Sequence, residues 1–68
     1  GDGVCELSLS RNGGVVYTDK ARIVAGASTS TCEGFDVPVD RLGGGKLEIK
    51  INLKSGDKTG AIYGEVNI

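Results

Sequence analysis

Histidine, tryptophan and methionine are absent from this chain, and proline and phenylalanine occur once each. Without histidine there is no ready base for a serine or cysteine nucleophile. Two cysteines without histidine also cannot make a zinc site. A calcium loop of the Asp-x-Asp-x-Asp type is missing too. Positive charge is not in excess: eight Lys and Arg against nine Asp and Glu leave a net charge of −1. That balance argues against nucleic acid or an anionic membrane as the main partner. No apolar run approaches the length of a membrane span. A signal-peptide pattern is lacking, so a secreted protein would be represented here by its mature form or by a domain of something longer.

What is present is strand periodicity. In residues 46–53, Leu47, Ile49, Ile51 and Leu53 alternate with Lys46, Glu48, Lys50 and Asn52, the period-two pattern of a strand with one buried face. Residues 61–68 alternate as well, with Ile62, Gly64, Val66 and Ile68 on one side and Ala61, Tyr63, Glu65 and Asn67 on the other. Closing the two into a hairpin with Leu53 opposite Ile62 sets Ile51 against Gly64, Ile49 against Val66 and Leu47 against Ile68. It also sets Lys50 against Glu65, a favourable cross-strand pair. A one-residue slip would turn the apolar side chains outward, whereas a two-residue slip preserves every face.

The rest of the chain reads as short strands. Residues 1–3 look like a frayed or added start. Cys5, Leu7 and Leu9 share one face of a first strand, and Asn12-Gly13 signals a type I′ hairpin turn into residues 15–18. Asp19-Lys20 suggests a second turn or bend, followed by a third strand at 21–24 with Ile23 inward. Residues 25–31 are small and polar, compatible with an edge strand, a surface loop or an O-glycosylated segment. Phe35, Val37 and Val39 alternate like a strand, which Pro38 confines to an edge. Residues 40–45 form a loop. The expectation is one all-β domain spanning 1–68: a small antiparallel β-sandwich or partly open barrel of five to six strands with one disulfide.

A core this small, with 38 % apolar residues and twelve glycines, needs a staple. Cys5 and Cys32 are the candidates, and closing that loop stabilises by roughly 3–4 kcal/mol in the chain-entropy model. The alternative is two buried free thiols. A disulfide implies an oxidising compartment, hence a secreted or extracellular location.

Most apparent motifs dissolve on inspection. Gly43-Gly44-Gly45-Lys46 resembles a phosphate loop, but Asp40 stands where its first glycine belongs, Leu47 replaces the Ser/Thr, and a strand follows instead of a helix. Asp36 and Asp40, four residues apart on a strand, would lie roughly 13 Å apart, too far for a catalytic carboxylate pair. Lys46, Lys50, Lys54 and Lys58 recur at every fourth residue, a pattern that serves solubility and edge protection or, alternatively, an acidic partner. Tyr63 is the sharper signal. It belongs to the outer set of the hairpin beside Lys50, Asn52 and Glu65, and these four residues make a candidate partner-binding face. The alternative is that another layer covers Tyr63.

The layout resembles the MAX-type effectors of plant-pathogenic fungi, small secreted six-stranded β-sandwiches whose disulfide begins near the start of the chain. Cys5 and Cys32 would fill those positions, and the resemblance implies a secreted virulence factor acting by protein–protein contact without catalysis. Residues 37–49 are also similar to the strand entry of immunoglobulin-like modules from bacterial surface proteins, which implies a structural or adhesive role. The reading from sequence is therefore a non-enzymatic, secreted protein-binding module and a monomer, needing no cofactor or metal and binding neither nucleic acid nor membrane. An inhibitor that offers loop 40–45 or loop 55–60 is a third reading.

Overall fold

The computed structural model describes residues 3–68. Of the start expected to fray, Gly1 and Asp2 lie outside the described residues, while Gly3 already belongs to the first strand. Five strands follow: β1 (Gly3–Arg11), β2 (Gly14–Ala25), β3 (Ser30–Glu33), β4 (Lys46–Ser55) and β5 (Lys58–Asn67), with one 3₁₀ turn at Val39–Arg41. All pair antiparallel in a single sheet of order β3-β2-β1-β4-β5. The sheet curls into a half-barrel, so of the two expected architectures the partly open barrel is the one found.

Local chemistry accounts for both tight hairpins. Arg11 pairs with Gly14 around Asn12 and Gly13, whose φ values of 52° and 83° are those of a type I′ turn. Ser55 pairs with Lys58 around Gly56 and Asp57. Gly56, at φ 64°, supplies the positive φ at the first central position of a type II′ turn. Leu9 faces Tyr17 while Ser10 faces Val15, so Val16 is the extra residue of a β-bulge that adds twist to β2.

The concave face carries the core. Cys5, Leu7 and Leu9 of β1, Ala21 of β2 and Leu47 of β4 are buried there, roofed by Leu42 from the loop before β4. Tyr17, Phe35, Val37, Ile49 and Ile51 pack against this cluster. Cys5 and Cys32 form the expected disulfide.

Three expectations about the chain path need correction. Asp19-Lys20 is no turn: β2 runs straight through it, pairing Asp19 with Leu7 and Lys20 with Glu6. Residues 35–39 are no strand. Pro38 removes a ladder donor, and the segment instead crosses the concave face with Phe35 and Val37 directed at the core. The third strand is Ser30–Glu33, so Cys32 lies within it and part of the small polar segment is an edge strand.

The β4–β5 register also differs, by two residues. Ile51 faces Ile62, Leu53 faces Gly60, Ile49 faces Gly64 and Leu47 faces Val66. The two-residue turn at Gly56-Asp57 sets this pairing, whereas the expected register would centre the turn one residue further on, at Asp57-Lys58. Every side chain keeps its face, as a two-residue slip must, but the partners change.

Candidate protein-binding face

The convex face of β4 and β5 carries all four residues proposed for partner binding, and it is not covered. Tyr63 is 71 % exposed, which disposes of the alternative that another layer packs on it. Its cross-strand partner is Lys50, where the expected register set Asn52, and the Lys50 Nζ stands 5.8 Å from the centre of the Tyr63 ring. This is the geometry of a cation–π contact, worth about 0.5–1 kcal/mol at an exposed site. Asn52 lies next along β4, opposite Ala61 and half-buried beside Glu6 of β1.

Glu65 faces Glu48 and is drawn instead to Lys46, with Nζ and carboxylate 3.2 Å apart. The expected Lys50–Glu65 pair is therefore replaced by two others: a Lys50–Tyr63 contact and a Lys46–Glu65 bridge. Lys54 reaches Glu6 at 3.7 Å. The lysine row is thus partly neutralised, and such exposed bridges add little stability. Lys58 leaves the row altogether, because it pairs with Ser55 and shares the concave parity.

Sequence reasoning missed the clamps that hold the irregular segment over the core. Arg11 donates from Nη1 to the Leu42 carbonyl (2.7 Å) and from Nη2 to the Gly43 carbonyl (3.1 Å). The Tyr17 hydroxyl donates to the Asp36 carbonyl at 2.6 Å, and the Asp19 carboxylate accepts the Asp36 N–H at 2.8 Å. The Asp36 and Lys20 backbone N–H groups hold the Asp19 carboxyl below the usual range. Desolvation, then the charges of Asp19 and Asp36, push the Tyr17 hydroxyl above its usual value. All three clamps span long sequence separations, so no local signal announces them.

Both loops considered for an inhibitor are short or tied down. Within 55–60 only Gly56 and Asp57 lie outside strands. The 40–45 loop is held by Arg11 and by the paired backbone bonds of Gly45 and Ile68. A groove of ≈ 380 Å³ remains open on the concave side between β3 and β5, lined in part by Ile23, Cys32, Leu53, Gly60 and Ile62. Among the described residues, no cluster of His, Cys, Asp and Glu could hold a metal ion.

No protein-family model, curated protein or solved structure matches this chain. The disulfide is compatible with an extracellular location, and no described helix is long and apolar enough to cross a membrane.

Proposed function

We propose that this chain is a secreted, non-enzymatic module that binds a protein partner through the convex face of β4 and β5, as an effector or virulence factor would. The observation that carries the reading is Tyr63: a large aromatic ring standing free on a rigid hairpin, with Lys50 over its face. Exposed aromatic anchors of this kind dominate binding energetics, because a ring offers large contact area and loses few rotamers on docking. Lys50 and Asn52 add polar groups that give such a contact orientation, and Glu65, held by Lys46, marks its rim.

The test compares immobilised wild-type protein with the Tyr63→Ala variant, both shown to melt within a few degrees of each other. A partner retained by the first should be lost or weakened at least about thirtyfold on the second, as expected for a hot spot of about 2 kcal/mol. A partner held equally by both would remove this face as the binding surface.

A further inference from the structure

Strand β5 is the long free edge of the sheet. It has ten residues, all exposed, whereas the opposite edge, β3, has four. The direction of its backbone groups follows from the ladder. Gly45 and Ile68 exchange both hydrogen bonds, each at 3.0 Å, and the pairing continues from them without a register shift. Bonded and non-bonded pairs alternate in an antiparallel ladder, so the even-numbered residues of β5 bond to β4. Thr59, Ala61, Tyr63, Glu65 and Asn67 therefore turn their N–H and C=O groups to the open edge.

Along its middle the usual guards against edge pairing are missing. β5 has no proline and no bulge, and its inward-parity charge, Lys58, stands at its first residue, leaving Ile62, Gly64 and Val66 on the concave face where a central inward charge would protect it. Ile62 and Val66 are 51 % and 39 % exposed.

We propose that β5 pairs antiparallel with β5 of a second copy, about a twofold axis at Tyr63, to form one continuous ten-stranded sheet. In that register Ile62 meets Gly64 of the other copy and Val66 meets Gly60. Each branched side chain thus opposes a glycine, and the space where that glycine's Cβ would stand is open. A two-residue shift one way sets Ile62 against Ile62, and the other way sets Ile62 against Val66, so the complementarity is lost in both. Glu65 meets Ala61 and keeps its own Lys46, while Lys58 meets Ile68, so no like charges oppose.

The strand supplies both halves of this fit, which is why a second copy suits it better than an unrelated peptide. The nine residues 59–67, paired strand to strand, span roughly 30 Å, and the strip buries on the order of 1,000 Å² in total, near the lower bound for a specific interface. At the axis Tyr63 meets Tyr63 of the other copy edge to edge on the convex face, while Lys50 and the outward side of each ring stay exposed, and the dimer does not depend on that face having a partner. It departs from the monomer expected from sequence.

Two readouts on the unmodified protein test it. Sedimentation from about 5 µM to about 1 mM should show a species of twice the 7.0 kDa chain mass growing with concentration. Amide exchange should show Thr59, Ala61, Tyr63, Glu65 and Asn67 gaining protection over the same range, while the even-numbered amides stay protected throughout. Ala61→Pro removes an outward N–H and leaves the β4 ladder intact, so it should yield a folded monomer. Ile62→Lys, an inward charge, should do the same and decides the matter if the proline variant does not fold. A monomer at every concentration would overturn the proposal. So would a dimer whose odd-numbered amides exchange at the monomer rate, or one that persists in a folded variant.

Discussion

The Cα atoms of Cys5 and Cys32 lie 6.1 Å apart although a whole strand, β2, runs between the strands that carry them. Two strand spacings in a flat sheet amount to about 9.5 Å. The disulfide therefore spans the inside of a sharp curl. Ala21, the partner of Cys5 on β2, is buried on the same concave face. Ile23 pairs with Cys32 one step further on. The staple thus joins the sheet's central strand, β1, to its edge strand, β3, and fixes the curvature that gathers the small core.

Opening the disulfide should cost roughly 3–4 kcal/mol, from the loop entropy of a 27-residue separation. The check is urea unfolding of the oxidised protein against Cys5→Ser/Cys32→Ser. A loss under about 1 kcal/mol would mean that the curled sheet persists without the staple. Ala21→Leu probes the same curl from below, since extra methylenes in a closed core cost about 1–3 kcal/mol.

Arg11 should matter more than its place beside a hairpin turn suggests. Its guanidinium donates to the Leu42 and Gly43 carbonyls, so Arg11→Gln removes the fork that presses Leu42 onto Leu47. The expected cost is about 1–2 kcal/mol, with faster tryptic cleavage after Arg41 in the loosened loop. Unchanged cleavage at that bond would show that the loop holds itself.

The Tyr17–Asp19–Asp36 clamp gives a pH dependence whose sign can be fixed. Asp19 has a lowered folded value, held down first by the Asp36 N–H and then by that of Lys20. Its contribution is present above the ordinary carboxylate value of the unfolded chain and is lost as pH falls through the folded value. Melting temperature should fall in that acid window, and Asp19→Asn should flatten the fall. Tyr17 has the opposite sense: its contribution is full below the ordinary phenol value and is lost as pH rises through the raised folded value. Tyr17→Phe should flatten the alkaline limb. Parallel acid limbs for wild type and Asp19→Asn would count against the clamp.

Parity was legible in the sequence; partners were not. Alternation told which side chains of β1, β4 and β5 face the core, and Asn12-Gly13 announced its turn, because both are local properties of a few neighbouring residues. Asp19 misled because Asp-Lys is favoured in turns. In β2 it pairs with Leu7, and its carboxylate accepts the Asp36 N–H, seventeen residues away, instead of a local turn N–H alone. Phe35, Val37 and Val39 alternate as a strand would, yet no neighbouring strand is offered to them and two of the three are used as a roof. Tyr63 was correctly placed outward, but Lys50 as its neighbour required the register, which periodicity alone leaves open to a two-residue slip.

That register is itself open to measurement. Lys50–Tyr63 and Asn52–Ala61 are pairs without mutual hydrogen bonds by the alternation set at Gly45–Ile68, so their α-protons should be close enough for strong Hα–Hα NOEs. The alternative pairing would place those NOEs at Lys50–Glu65 and Asn52–Tyr63. Gly56→Ala tests the turn that sets the register: a left-handed φ of 64° costs an L residue about 1–2 kcal/mol. A turn shifted by one pair would leave Gly56 free to accept the methyl without loss. The distinction decides the chemistry of the convex face. With Lys50 beside Tyr63 the face presents a cation over an aromatic ring, whereas with Lys50 beside Glu65 that cation would be spent on a carboxylate and the ring would stand alone.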